Sequence, residues 1–180
     1  MKEETSITMV LRQFLLLLLL ATVVGVLINT VSPNSIPLIG KYRTLSTGNG
    51  PIVPPSAQPG DPPFIDISQA QMEYDVGTAV FIDARDPEEY FCGTIPGSIN
   101  IPFESLPEGD LGKYFDSVLA GLGHGKTLIT FCSGEECDLS LHLGRNLNAY
   151  GYDNVFIFFG GSREWEKFGL QIERKAECGR

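Results

Sequence analysis

Thr127-Leu128-Ile129-Thr130-Phe131-Cys132-Ser133-Gly134-Glu135-Glu136-Cys137-Asp138-Leu139 is the stretch on which the reading of this 180-residue chain turns. Thr127 to Phe131 is a short run with no charge, which suits a strand buried on both faces, as in a parallel sheet. It ends on Cys132. A six-residue loop containing Gly134 follows, and a helical stretch runs from Leu139 to Tyr150. A strand, a tight loop and a helix start aim several backbone N–H groups at one spot. Together with the helix dipole these favour an anion there, either a thiolate or a persulfide. Taken alone, Cys132 reads equally well as a small buried hydrophobe at a strand end.

Outward from this point the same pattern repeats. Ala79-Val80-Phe81-Ile82 is an apolar run ended by Asp83, and Val155 to Phe159 is another. The shorter pieces Phe64-Ile65-Asp66 and Ser98-Ile99-Asn100 add two edge or inner strands. Helical stretches lie between them at Pro87 to Phe91, Lys113 to Leu119, Leu139 to Tyr150 and Arg163 to Phe168. Asp86-Pro87-Glu88-Glu89 has the makings of a helix start: an N-cap, a proline at the first helical position and acids in the first turn. Strands alternating with helices predict an α/β sheet covered on both faces, with any site at the carboxyl ends of the strands.

Several motifs then fall into one order. Val80-Phe81-Ile82-Asp83-Ala84-Arg85 has the form of a strand followed by Asp-x-Arg. Glu89-Tyr90-Phe91-Cys92-Gly93-Thr94-Ile95-Pro96-Gly97-Ser98-Ile99-Asn100-Ile101-Pro102 and Gly160-Gly161-Ser162-Arg163-Glu164-Trp165 flank the Cys132 loop. In this order they resemble the rhodanese-like sulfurtransferase family, from about Phe64 to about Ile172. The resemblance implies a five-stranded parallel sheet flanked by helices on both faces. It also implies a reaction in which Cys132 takes up a sulfane sulfur as a persulfide and passes it to a thiophilic acceptor. Ser133, Gly134, Glu135, Glu136 and Cys137 would form the loop around the sulfur, with Asp83 and Arg85 in support. No metal and no cofactor is implied.

The departures from the family pattern bear on the chemistry. Thr94 stands where the family usually has His. The sixth loop residue, commonly Arg, is Cys137, and the loop carries Glu135 and Glu136. A carboxylate about 6 Å from a thiolate disfavours it by roughly 0.7 to 2.8 kcal/mol at an effective dielectric of 80 to 20. A helix N-terminus returns about 0.3 to 2 kcal/mol. These nearly cancel, so the loop N–H groups decide whether Cys132 is activated, and thiosulfate, a dianion, should be a poor donor. Phosphatase-like chemistry would want an Arg grip on the anion that this loop lacks. Among other candidates, Cys92 sits at the rim of the resembled site and invites a redox role. Trp165 reads as core packing, His124 as a turn residue, His142 as a surface or packing residue and Cys178 as part of a polar tail.

The first 31 residues are of another kind. Phe14 to Ile28 is apolar apart from Thr22 and Gly25, and the segment extends to Val31. That is long enough to span a bilayer core of about 30 Å, at the short end. Residues 1–31 therefore read as an uncleaved membrane anchor crossing once through residues 14–31. A cleaved signal peptide is the alternative, but Ile28-Asn29-Thr30-Val31-Ser32-Pro33 offers it no good cleavage site. Lys2 and Arg12 before the span match Lys41 and Arg43 after it. Arg12, nearest the membrane edge, and the short N-tail tilt the reading to a domain on the extracytoplasmic (periplasmic) side.

Residues 32–63 hold eight of the twelve prolines and read as a Pro/Gly-rich linker. Residues 64–180 then form the domain. The net charge is −9, and Lys2 and Arg12 cancel Glu3 and Glu4, so all of it lies beyond residue 31. An acidic domain has no footprint for nucleic acid. The four cysteines are too few for a disulfide scaffold and lack C-x2-C zinc spacing.

Three functions remain open on the sequence. One is a membrane-anchored sulfurtransferase working through a Cys132 persulfide, with a small sulfur donor and a thiol acceptor, a thiol-bearing protein included. Another is a thiol–disulfide oxidoreductase in which Cys132 attacks and Cys137 resolves. The third is a catalytically silent binding module of the same fold.

Overall fold

The computed structural model describes residues 2–31, 50–134 and 136–174. Glu135, Lys41, Arg43 and Cys178 lie outside the described residues. The chain divides into two units, Met1–Tyr42 and Arg43–Arg180.

In the first unit, α1 (Lys2–Val31) is predominantly apolar over Leu11–Asn29, a span of 19 residues. At 1.5 Å per residue this is about 28 Å, close to a bilayer's apolar thickness. Among the described residues it is the one helix long and apolar enough to cross a membrane, a test that a signal sequence also passes.

The second unit is built on four parallel strands, β1 (Val80–Asp83), β2 (Ile99–Asn100), β3 (Leu128–Phe131) and β4 (Val155–Phe158), in the order β2-β1-β3-β4. Five strands are expected from the sequence, and here the fifth is only a single bridge. Phe64 pairs parallel with Ile157, while Ile157 N–H donates to the Pro63 carbonyl and Ile65 N–H to that of Ile157. Pro62 and Pro63 carry no N–H for a longer ladder. On the other side Asp66 already leaves the extended run to cap a helix.

That helix, α2 (Ile67–Val76), is absent from the sequence reading. Asp66 accepts from Gln69 N–H at 2.9 Å, and the Gln69 side chain accepts from Asp66 N–H at 3.3 Å, a complete capping box. The other helices fall where expected: α3 (Pro87–Cys92), α4 (Leu111–Val118), α5 (Leu139–Ala149) and α6 (Gly161–Lys167), with a short 3-10 turn at Phe103–Ser105. Asp86 caps α3 through Glu89 N–H, and Asp110 caps α4 through Lys113 N–H.

Because strand side chains alternate between faces, the sheet has two cores. Ile82, Leu128 and Val155 pack on one face with Phe115 of α4 and Leu143 and Leu147 of α5. Phe81, Ile129, Phe131 and Phe158 pack on the other with Ile67 and Ala70 of α2 and Trp165 of α6. Trp165 is 1% exposed, as its core reading requires, and its indole N–H donates to the Gln171 carbonyl.

Residues 50–63, assigned to the linker on proline content, are laid against the domain. Pro54 and Pro62 are buried, Ile52 joins Leu141, Ile157 and Phe159, and Asp61 pairs with Arg145 of α5 at 2.6 Å. Proline content marks a chain without regular hydrogen bonding, and such a chain can still be anchored by side chains.

Candidate active site

β1 and β3 are neighbours in register, with Asp83 opposite Phe131, and Ala84 N–H donates to the Phe131 carbonyl. Asp83-Ala84-Arg85 and Cys132-Ser133-Gly134 therefore leave the sheet side by side at its carboxyl edge, as the sequence reading requires. The register brings Asp83, Arg85 and Cys132 together.

Asp83 is 0% exposed and its charge is balanced on every side. Arg85 Nε donates to one carboxylate oxygen at 2.9 Å and its terminal nitrogen to the other at 2.6 Å, a two-pronged grip. Arg85 N–H and Thr94 Oγ1 also donate to the carboxylate, and Thr94 Oγ1 is 2.8 Å from Ser98 Oγ. Thr94, at the family's His position, is thus a buried hydrogen-bonding member of this cluster. Arg85 continues to the Gly93 carbonyl, and Asn100 Nδ2 donates to the carbonyls of Asp83 and Arg85. Burial works against the Arg85 charge, but the hydrogen bond to Asp83 prevails and raises its pKa. Negative charge on Glu89, and on the Cys132 sulfur were it ionised, acts in the same direction.

The Cys132 loop is held by α6. Ser162 N–H donates to the Cys132 carbonyl at 2.9 Å and Arg163 N–H to the Ser133 carbonyl at 3.1 Å. Gly161 makes this approach possible. It adopts φ +61°, and a Cβ there would lie 2.2 Å from the Cys132 carbonyl oxygen. The paired glycines at 160 and 161 thus have a physical role in seating the loop. Gly134, at φ +147°, turns the loop, and the Cys137 N–H closes it by donating to the Gly134 carbonyl at 2.9 Å.

The two loop cysteines have different surroundings. Cys132 is 0% exposed, and its thiol donates to the Cys137 carbonyl at 2.8 Å, with Ser140 Oγ at 3.5 Å and the Gly134 carbonyl at 4.0 Å. Burial, then the neighbouring Cys137 thiol, pushes the Cys132 pKa well above the ordinary range; Ser140 hydroxyl and N–H oppose this. Cys137 is half-buried. The hydrogen bond from Cys132, then the N–H groups of Leu139 and Ser133 and the Ser133 hydroxyl, outweigh its desolvation and lower its pKa to about 6. The thiolate that the helix start favours is therefore on Cys137, while Cys132 is held protonated. Glu136 is exposed, and burial rather than a carboxylate is the largest influence on Cys132. Both thiols are free, whereas Cys92 is disulfide-bonded.

Beside Ser133 opens a cleft of about 230 Å³ lined by Arg85, Cys92, Arg163 and Arg174, with Glu89 and Glu166. Arg174 pairs with Glu166 at 2.9 Å; Arg163 makes no ion pair among the described residues. Ser98, Ser140, Arg163 and Arg174 are site residues that sequence reasoning missed. Ser140, two residues into the helix after the loop, carried the most visible signal. His142 stacks on Phe103 and His124 on Tyr152, both as packing or turn residues.

A parallel sheet whose central strand ends in a cysteine loop, faced by a buried Asp–Arg pair, defines a class, and the comparisons agree. Residues 66–168 match the model of the Rhodanese-like domain, and the chain belongs to that family. It is 30% identical over 159 residues to "Thiosulfate sulfurtransferase RDL2, mitochondrial" of Saccharomyces cerevisiae, covering 84% of this chain and 95% of that one. It is 28% identical over 95 residues to "Thiosulfate:glutathione sulfurtransferase" of the same yeast, covering 50% and 66%. Among solved structures, the thiosulfate sulfurtransferase of Pseudomonas aeruginosa superposes with a TM-score of 0.50 at 24% identity, over 64% of this chain and 21% of that one.

Proposed function

We propose that this protein is a membrane-anchored sulfurtransferase that stores a sulfane sulfur as a persulfide on Cys132. The observation that carries the reading is the placement of Cys132. It directly follows the central strand of a rhodanese-like sheet, where the Arg85 guanidinium would steady the negative charge of a persulfide. A persulfide there would meet the Ser140 N–H and hydroxyl, groups that favour an anion.

The relatives' names give thiosulfate as donor and, in one, glutathione as acceptor. For this chain a small anionic sulfur donor and a thiol acceptor are the matching classes. Arg163, which makes no ion pair among the described residues, lines the cleft beside Ser133 and gives an anionic donor a cation to meet against the acidic loop. We place residues 14–31 in the membrane and the domain on its extracytoplasmic side, with no nucleic-acid partner.

Full-length protein in detergent should release sulfite from thiosulfate, or sulfide from polysulfide, in the presence of a small thiol. The Cys132→Ser, Cys137→Ser double variant should do neither. A wild-type protein inert towards both donors would leave a binding module of the same fold. Protease added outside sealed cells stripped of any outer layer should release the domain; protection would reverse the orientation.

A second reading has its own observation. The two thiols hydrogen-bond within one loop, an arrangement suited to a thiol–disulfide pair.

A further inference from the structure

The two thiols of the loop are unequally accessible. Cys132 has no exposed surface, and its sulfur faces the Cys137 carbonyl, the Gly134 carbonyl and Ser140. A donor arriving from solvent finds no surface of Cys132 to attack. Cys137 is half-buried, and its sulfur lies at the start of the 11-residue helix α5, against the N–H groups of Leu139 and Ser133 and the Ser133 hydroxyl. Ser133 also lines the cleft that carries Arg85, Arg163 and Arg174. Position, exposure and hydrogen-bond donors therefore all favour Cys137 as the first contact, while Cys132 is within hydrogen-bond reach of Cys137 alone among the thiols.

We propose that Cys137 is a second catalytic residue, the thiol that exchanges sulfur with donor and acceptor, and that Cys132 is the inner thiol to which the sulfur is relayed for storage. The proposal rests on the sulfur-carrier reading above. It departs from the sulfur-carrier expectation from sequence, in which Cys132 itself takes the sulfur from the donor.

The steps balance without an added oxidant or reductant. The Cys137 thiolate attacks the sulfane sulfur of thiosulfate. A Cys137 S–S bond forms, the donor's S–S bond breaks, and sulfite leaves with the electron pair. Cys132, losing its proton, then attacks the outer sulfur of the Cys137 persulfide. A new S–S bond forms on Cys132, the bond from the outer sulfur to Cys137 breaks, and the electron pair returns to Cys137. The proton passes from the Cys132 thiol to the group left behind, either the Cys137 thiolate or the Cys132 persulfide. Delivery to an acceptor thiol is the same sequence reversed. A leaving thiol of low pKa departs faster, which favours Cys137 at the relay step. With its pKa lowered to about 6, Cys137 is the thiol of the pair that ionises first near neutral pH.

Two measurements on the reduced full-length protein in detergent test this. In the first, brief iodoacetamide labelling across pH, read by peptide mapping, should modify Cys137 first, with a midpoint near pH 6. Cys132 should react at least about tenfold more slowly at pH 7. In the second, thiosulfate or polysulfide loading is followed by mass spectrometry. Sulfur should stay on Cys137 in Cys132→Ser, and Cys132 should load at least about tenfold more slowly in Cys137→Ser and Cys137→Ala. Equal or faster labelling of Cys132, or loading of Cys132 at the wild-type rate in both Cys137 variants, overturns the relay and leaves the carrier reading standing. Wild-type protein that takes up no sulfur overturns the carrier reading and the relay with it.

Discussion

The carboxyl ends of β1 and β3 lie side by side, yet they solve opposite problems. At the end of β1 a carboxylate is fully buried and every partner it needs is in place: Arg85 from two nitrogens and its N–H, and the Thr94 hydroxyl. At the end of β3 two thiols share one loop, one buried and protonated, the other half-exposed and inclined to ionise. The first arrangement has nothing left to do except hold its place, because a satisfied buried ion pair resists change. The second is chemically unfinished: a thiolate and a thiol in contact can pass a sulfur between them once a donor has supplied it. The same fold position thus gives a brace on one strand and a reactive centre on the next, and the brace presents its cation to the centre.

The comparison is broken most severely at the brace. Asp83→Ala strands Arg85 and Thr94 in the interior, and should cost about 3 to 5 kcal/mol in denaturant unfolding. A loss below about 1 kcal/mol would mean that Arg85 reaches water, and that the two strand ends differ less than the structure implies.

Gly161→Ala attacks the seat of the reactive loop. Overpacking against the Cys132 carbonyl costs about 1 to 3 kcal/mol, and the left-handed conformation adds about 1 to 2 kcal/mol for a residue with a Cβ. Sulfur loading of the loop should fall with stability; full loading in a folded variant would show that the α6 contact does not set the loop.

Asp61→Asn probes an ion pair remote from both strand ends, and should cost about 1.5 to 3 kcal/mol at pH 7. The hydrogen bond from Arg145 lowers the Asp61 pKa from 3.8. A depressed carboxylate contributes stability above its unfolded pKa, and that stability is lost as pH falls through the folded value. The gap between wild type and variant should therefore be full at pH 7 and close in acid below about pH 4. Thermal unfolding across pH checks it, and a gap that widens in acid would reverse the sign.

The smallest effect belongs to Glu136→Gln. With its side chain exposed and screened, thiol labelling rates should change at most a few-fold, and less in added salt. A large gain would restore the loop carboxylate to the role expected from sequence.

The three central strands were legible because each is largely buried and so reads as a short run without charge: Phe81-Ile82, Leu128 to Phe131 and Val155 to Phe158. The start of α5 and the place of Cys132 followed from the same run. α2 was not legible by apolar periodicity, since only Ile67 and Ala70 of its ten residues are buried. Its capping box, Asp66 with Gln69, was the signal available. The fate of residues 50–63 turned on Asp61 meeting Arg145, 84 positions away, and nothing local in a proline-rich stretch announces that. At the site, the residue types were legible and their division of labour was not. Which of two cysteines in one loop is the acid depends on burial and on which N–H groups face which sulfur. Those are properties of the folded loop, and the spacing of Cys132 and Cys137 is the same whichever way the sulfurs point.

The central claim is that Cys132 is the store. It is tested most directly by treating reduced full-length protein with a sulfane-sulfur donor, removing excess donor, alkylating, and mapping the peptide that spans Thr127 to Leu139. The account predicts one added sulfur, about 32 Da, retained on Cys132 and discharged by a small thiol. A loop that emerges with both cysteines carrying only the alkylating group would contradict it.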